Sequence, residues 1–200
     1  KTVAAKLFVH NDKSNASYYI KCRKWGNRVF LMNLLRTLGL NPESKYASND
    51  DLLEQVIEFF KMRVDKKPLL IIDQANSLRG SAFTNIIIHL FNELEGQMGL
   101  VAYGTENLEK EIKRGVKYGK DGYDETDSRL GRNFIALPGF TYNDTASMCQ
   151  ANGVKDKQVI DDIFSECRPV KKMYNNRVVT LVLDGRRIKR CIQREILKAS

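Results

Sequence analysis

The chain has 200 residues, 42% of them hydrophobic, which is enough to bury a core of its own. No run approaches the ~18 to 20 apolar residues of a membrane span, and the start lacks a signal-peptide hydrophobic region, so we expect a cytoplasmic protein with no membrane partner. The four cysteines form no Cys-x-x-Cys pair and are interpreted as core residues rather than as zinc ligands or disulfides. The net charge of +9 indicates a polyanionic partner.

Strands and helices alternate through the first two thirds of the chain, and hydrophobic periodicity and capping residues set their bounds. The predicted strands are residues 18–22, 68–73, 98–103 and 133–137. The predicted helices are the opening segment and residues 27–40, 50–63, 81–94 and 106–114. Residues 115–128 lack hydrophobic periodicity and are predicted to form a loop. This alternation predicts an α/β domain with a parallel sheet over residues 1–139.

Residues 140–200 show no convincing strand pattern and are predicted to form a small all-helical domain. From Arg168 to Ser200, ten Lys or Arg stand against two acidic residues, a net charge of +8. This charge is typical either of a solvated helix face or of a surface that binds the DNA phosphate backbone. The second interpretation makes four residues candidate DNA contacts: Arg186, Arg187, Lys189 and Arg190.

Two short motifs, 72 positions apart, indicate a nucleotide site. Lys1 and Thr2 match the end of the phosphate-binding motif G-x-x-x-x-G-K-[ST], and the apolar strand 68–72 ends in Asp73, as the Walker B strand of P-loop ATPases does. In such a site the lysine neutralises phosphates, while the threonine hydroxyl and the aspartate serve Mg²⁺. Lys1, Thr2 and Asp73 are therefore candidate contacts for ATP and Mg²⁺. The glycines of the motif do not precede Lys1, and we expect the native protein to be longer.

Three further residues are candidates for the catalytic step. Gln74 follows Asp73, where such ATPases commonly carry glutamate; it can orient water but cannot accept a proton, so slow turnover or a nucleotide-held switch is expected. Thr105 comes soon after the strand at 98–103. It is either a sensor of the γ-phosphate or the N-cap of the next helix. Arg129 either reaches the phosphate of a neighbouring subunit or belongs to a plain surface.

The order of these motifs resembles that of AAA+ ATPases. The residues that carry the resemblance are Lys1-Thr2, then 70–76 (LIIDQAN), 99–105 (GLVAYGT) and 128–130 (SRL) followed by 134–138. More narrowly, they are similar to the transposition-helper branch typified by phage Mu transposition protein B. The resemblance implies a P-loop NTPase core with a helical lid, in which Thr105 is a sensor and Arg129 an arginine finger.

A member of that branch would bind double-stranded DNA as an ATP-dependent homo-oligomer, mark a target site and stimulate a transposase. A replication-initiator or helicase-loader ATPase shares these motifs and is the first alternative. The second is a degenerate, non-hydrolysing interaction module, which Gln74 and the truncated phosphate motif favour. Transposase stimulation, helicase recruitment and partner binding that is indifferent to ATP would distinguish the three.

Overall fold

The structure, a computed structural model, describes residues 1–42, 47–79, 81–174 and 176–199. The chain divides into two compact units, Lys1–Phe134 and Ile135–Ser200, a few residues before the boundary predicted near Gly139. That the first unit is an AAA+ core and the second a lid stays a prediction.

The first unit alternates helices and strands along the chain. Its strands are β1 (Ser17–Lys21), β2 (Leu69–Asp73) and β3 (Gly99–Ala102). Its helices are α1 (Thr2–Asn11), α2 (Asn27–Thr37), α3 (Asn49–Lys61), α4 (Ala82–Leu94), α5 (Glu106–Lys117) and α6 (Tyr123–Arg129). The first three predicted strands and the first five predicted helices are confirmed, with ends that differ by a few residues.

The three strands form a parallel sheet in the order β1-β2-β3. The central strand β2 is buried along nearly its whole length, which explains its unbroken apolar sequence. In the register of the sheet, Tyr19 lies beside Ile71 and Lys21 beside Asp73. Because parallel strands end at one edge, the residues that follow β1, β2 and β3 are brought together there.

The two faces of the sheet pack against different helices. Leu70 and Ile72 belong to the main core cluster, together with residues of α2, α3 and α4. Tyr18 contributes to this face and packs edge-on against Phe59, with 5.3 Å between ring centroids. Side chains alternate along a strand, so Tyr19 points to the other face, where α1 packs against β1. This alternation decides which strand residues can meet the start of α1.

Two predictions for the region after α5 are wrong. Residues 115–128 are not all loop, because α6 covers Tyr123–Arg129. This helix depends on tertiary packing: the ring of Tyr123 lies against Gly115, where an added Cβ would come within 2.2 Å of the ring. Residues 133–137, all of which are described, form no strand, and Ile135 and Leu137 are 85% and 57% exposed. Apolar side chains suit a strand only where a neighbouring strand pairs with them.

The second unit contains a β-hairpin, so the prediction of an all-helical domain is wrong. Its helices are α7 (Tyr142–Ala151), α8 (Lys157–Glu166) and α9 (Gly185–Ala199), and its strands are β4 (Val170–Tyr174) and β5 (Arg177–Leu181). The strands are antiparallel, and Asn176 in the turn between them has a φ of 60°. Asparagine tolerates this left-handed conformation, which tight hairpin turns require. A core of residues from α7, α8, α9 and Val182 holds the unit together.

All four cysteines are buried, which confirms that they are core residues: Cys22 lies in the first unit, and Cys149, Cys167 and Cys191 lie in the second. Within the described ranges, no helix combines the length and the hydrophobicity needed to cross a bilayer.

Candidate nucleotide site

The centre of the candidate site is the carboxylate of Asp73, which is only 3% exposed at the end of β2. Its Oδ2 accepts hydrogen bonds from the hydroxyl groups of Thr2 and Tyr19, each at 2.7 Å. Its Oδ1 accepts a bond of 2.9 Å from the backbone N–H of Gln74. Three donors from separate segments therefore satisfy and orient this buried carboxylate.

The amino end of α1 lies beside this carboxylate. Thr2 is the first residue of the helix, and Lys1 precedes it as the N-cap residue. The ammonium group of Lys1 donates a hydrogen bond of 2.6 Å to the carbonyl of Gly104, just past the end of β3. The first N–H groups of a helix have no partner within the helix and favour a negative charge. A lysine ammonium and a helix N-terminus thus converge at the carboxyl edge of the sheet, where an anion would be stabilised.

A side-chain contact joins the segments that follow β2 and β3. Oδ1 of Asn76 accepts a hydrogen bond of 3.0 Å from the backbone N–H of Thr105, the N-cap residue of α5. Gly104 makes the close approach possible, since an added Cβ would lie 2.7 Å from a methyl group of Leu108 and 3.3 Å from Oδ1 of Asn76. Thr105 therefore lies next to the carbonyl that Lys1 contacts. Its role as a phosphate sensor stays a prediction.

Comparison with protein families agrees with this arrangement. The sequence profile of a family described as an AAA domain matches residues 1–112, more than half of the chain. The chain belongs to the AAA domain family. Membership implies nucleotide binding, generally with a divalent metal, and the parallel sheet is consistent with a P-loop NTPase core. Searches of curated proteins and of solved structures found no match.

Gln74 occupies a backbone position that is uncommon for a residue other than glycine. Its φ and ψ are 58° and 39°, in the left-handed region, which costs about 1 to 2 kcal/mol. Backbone hydrogen bonds fix the turn on both sides: the N–H of Gln74 binds Asp73, and the N–H of Ala75 donates to the carbonyl of Tyr103 at 2.9 Å. The AAA domain therefore holds Gln74 at the carboxyl edge of the sheet, immediately after the buried carboxylate.

Sequence reasoning missed Tyr19, although its hydroxyl group contacts the predicted carboxylate directly. The only sequence signal was a tyrosine two residues before the end of a strand. This position predicts a contact with Asp73 only when β1 and β2 are known to be neighbours in this register. The pKa of Tyr19 is raised above its ordinary value, first by burial and then by its hydrogen bond to Asp73 and the charge there. Burial and the same charge raise the pKa of Cys22 to about 12. Both groups thus stay neutral beside the carboxylate at physiological pH.

The structure does not bring Arg129 to the other predicted site residues. Its guanidinium lies 3.5 Å from a carboxylate oxygen of Glu125 and 5.1 Å from the ring centroid of Phe91. It lines a cavity with Met98, which immediately precedes β3, whereas Lys1 lies at the other end of that strand. An arginine finger acts on a second subunit, so this role of Arg129 stays a prediction.

The donor set of the AAA domain fits a magnesium nucleotide. Hydroxyl and carboxylate oxygens, as in Thr2 and Asp73, are the ligands that Mg²⁺ prefers, and the ammonium of Lys1 suits a phosphate. Among the described residues, no group of three or more His, Cys, Asp or Glu converges into a cage of protein ligands. Mg²⁺ in nucleotide sites is usually held by one or two protein oxygens together with the phosphates, and Thr2 and Asp73 supply that number.

The predicted DNA contacts lie on α9 in the second unit. This helix buries Ile188 and Ile192 in the core of the unit, and it leaves basic residues on its outer surface. Arg186, Lys189 and Arg190 are exposed, and Arg187 is partly buried. No carboxylate of the described chain forms an ion pair with these four, whereas Arg194 and Lys198 on the same helix are paired. The arrangement leaves Arg186, Lys189 and Arg190 available to an external anion, whereas the charge of Arg187 already acts on Glu166. Binding of DNA by these residues stays a prediction.

Proposed function

We propose that this AAA domain protein binds ATP and Mg²⁺ and uses them to control its binding to double-stranded DNA in transposition. The observation that carries the nucleotide part is the contact of 2.7 Å between Thr2 and Asp73, two residues 71 positions apart in the sequence. With Lys1 beside them, the three residue types that a phosphate motif and a Walker B strand contribute lie at one edge of the sheet.

Each of these residues has a separate task. Lys1 binds and neutralises phosphate oxygens, Thr2 offers its hydroxyl oxygen to the metal, and Asp73 completes the metal environment directly or through water. Mg²⁺ supplies charge that stabilises the phosphates when it is bound. Tyr19 holds the Asp73 carboxylate in its orientation from the side of β1. The site is therefore arranged for binding by residues of α1, β1 and β2.

Hydrolysis at this site is expected to be slow. Gln74 can orient a water molecule through its amide, but it cannot accept the proton of that water at neutral pH. A nucleotide that is hydrolysed slowly suits a switch that stays on until a partner acts. The same residue also favours a second candidate, an interaction module of the same fold that does not hydrolyse ATP at all.

The DNA part of the proposal is supported by charge. The last thirty-three residues carry a net charge of +8, and α9 carries four basic residues that form no ion pair within the described ranges. Basic side chains on one helix are the usual footprint of binding to a phosphate backbone. Transposition itself is supported by the motif resemblance, which also suggests an ATP-dependent homo-oligomer in which Arg129 acts on a neighbouring subunit.

The experiment for the nucleotide part is calorimetry with ATP and a non-hydrolysable analogue, with and without Mg²⁺ and DNA. It compares the 200-residue chain with a version extended upstream to include the glycines of the phosphate motif. We expect the extended chain to bind ATP and DNA to tighten that binding. Failure of both chains to bind would reject the nucleotide switch and favour the interaction module.

The experiment for the DNA part replaces Arg186, Arg187, Lys189 and Arg190 with alanine. This variant should bind duplex DNA more weakly, and the slope of log affinity against log salt concentration should become shallower. An unchanged slope would refute the role of α9.

A separate experiment distinguishes the transposition proposal from a helicase loader. Stimulation of a transposase by the ATP-bound protein would support transposition, whereas a helicase loader would recruit a helicase instead.

A further inference from the structure

The hairpin of β4 and β5 is highly exposed. All five residues of β4 are exposed, and so are Arg177, Val178 and Thr180 of β5. The side chains of Met173 and Val178 are 68% and 65% exposed, although both are apolar. Apolar side chains that project on an exposed ribbon indicate a contact surface.

The charge of this segment has one sign. Residues 167–183 contain four basic residues and no acidic one. The two carboxylates that flank this segment in the sequence have partners of their own: Glu166 accepts a bond of 2.9 Å from Arg194, and Asp184 accepts the backbone N–H of Arg186 at 3.0 Å. The basic residues of the hairpin are Lys171, Lys172 and Arg177, and no ion pair in the described chain includes them. The ribbon therefore presents uncompensated positive charge.

The cross-strand pairs distribute basic and apolar groups over both faces. Met173 lies opposite Val178 and shares its face with Lys171, while Lys172 lies opposite Val179 on the other face. Within the described chain, β4 pairs only with β5 and is therefore an edge strand, and the isolated bridge between Val182 and Phe140 lies just past the end of β5. Lysines on an edge strand oppose the addition of another strand. A polyanion is therefore favoured over a protein strand as the occupant.

We propose that the β4–β5 hairpin enters a groove of double-stranded DNA. Lys171, Lys172 and Arg177 contact phosphates on either side of the ribbon, and Met173 and Val178 contact apolar base edges. A two-stranded ribbon has a size that the major groove, about 12 Å wide, admits. This inference rests on the proposed DNA-binding function and adds a second contact element to α9, one that the sequence did not predict.

The test is fluorescence anisotropy of the 200-residue chain with a labelled duplex, at about 50 to 200 mM salt, with and without Mg-ATP. One variant is Lys171→Ala/Lys172→Ala. The matched control is Lys155→Ala/Lys157→Ala, which removes the same charge from exposed lysines at the start of α8 in the same unit. A thermal melt verifies that each variant is folded.

We expect the hairpin variant to make the negative slope of log affinity against log salt shallower by about 1 to 2, which corresponds to two lost phosphate contacts, and the control to leave it unchanged. Met173→Ser/Val178→Ser should weaken binding without a change in slope.

Equal slopes for the hairpin variant and the native chain, together with a shallower slope for the α9 variant, would overturn the proposed role of the hairpin while leaving DNA binding intact. Altered self-association in place of altered DNA affinity would also overturn it, in favour of a second copy. No salt-dependent affinity in the native chain would reject DNA binding itself.

Discussion

The hydroxyl group of Tyr19 and the hydroxyl group of Thr2 donate to the same oxygen, Oδ2 of Asp73, each at 2.7 Å. The two donors approach from different elements, β1 and α1, and the N–H of Gln74 holds the other oxygen. The carboxylate thus has a fixed orientation before any ligand arrives. A site that is oriented in advance loses less conformational entropy when it binds.

Replacing Tyr19 with phenylalanine should lower the free energy of unfolding by about 1 kcal/mol, because the substitution removes one hydrogen bond to a buried carboxylate and keeps the ring. Chemical denaturation of the native chain and the variant measures this difference. Tyr118→Phe is the matched control, since Tyr118 is 67% exposed. Equal losses for the two variants would show that the Tyr19 hydroxyl group has no special role.

The sequence was sufficient to predict that Lys1, Thr2 and Asp73 lie close together, because their types and spacing follow a motif and parallel strands deliver their carboxyl ends to one edge. It was not sufficient for Tyr19, whose contact depends on the lateral order and register of the strands. Asn76 was missed for a similar reason, since it acts across the gap between the segments after β2 and β3.

The elements that could not be predicted from the sequence are those whose formation depends on tertiary contacts. The short helix α6 has no hydrophobic periodicity. It packs through the ring of Tyr123, which fits against α5 because Gly115 has no side chain. The β4–β5 hairpin shows little alternation of apolar and polar residues, because all of its strand residues except Val179 and Leu181 are exposed and basic residues lie on both faces. A buried face normally produces the alternation from which a strand is predicted.

Replacing Asp73 with asparagine should abolish the increase in nucleotide affinity that Mg²⁺ provides. It should also lower the free energy of unfolding by about 1 to 3 kcal/mol, because one carboxylate oxygen that accepts hydrogen bonds becomes an amide nitrogen. Calorimetry with and without Mg²⁺ and a denaturation curve give the two quantities. Asp65→Asn, at an exposed carboxylate, is the control, and an unchanged Mg²⁺ dependence in Asp73→Asn would contradict the assignment.

Replacing Gly115 with alanine should destabilise the first unit by about 1 to 3 kcal/mol, because the added methyl group would lie 2.2 Å from the ring of Tyr123. Gly26→Ala is a suitable control, since a Cβ there meets nothing within 4 Å. Adding Tyr123→Ala to Gly115→Ala should recover part of the loss by relieving the overlap. If the double variant is as unstable as the sum of the two single variants, the two residues do not interact.

Arg194 should make the stability of the second unit dependent on pH. The guanidinium of Arg194 holds the pKa of Glu166 below its ordinary value, through two hydrogen bonds of 2.9 and 2.5 Å. A lowered pKa in the folded state means that the stabilisation is fully present above the unfolded value, near pH 4.3, and is lost as the pH falls through the lowered pKa. Arg194→Gln should therefore differ most from the native chain near neutral pH, and the two stability curves should converge in acid.

Glu166→Gln gives the reciprocal measurement for this pair. It should produce a loss of the same sign, and the double variant should lose less than the two single variants combined, since they share one interaction. Curves for Arg194→Gln and the native chain that stay parallel down to acid pH would contradict the ion pair between α8 and α9.

Replacing Gln74 with glutamate should accelerate ATP hydrolysis by roughly tenfold to a hundredfold in the upstream-extended protein, because a carboxylate can accept the proton of the attacking water. Both side chains are unbranched beyond Cβ, and both must adopt the φ of 58° at this position, so the fold and the nucleotide affinity should change little. Phosphate release gives the rate, calorimetry gives the affinity, and Gln97→Glu, after α4, is the control for added charge. A rate that rises only for Gln74→Glu would show that the native protein keeps its switch slow through this one amide. A rate that stays equal would place the water-activating group elsewhere or favour the non-hydrolysing module.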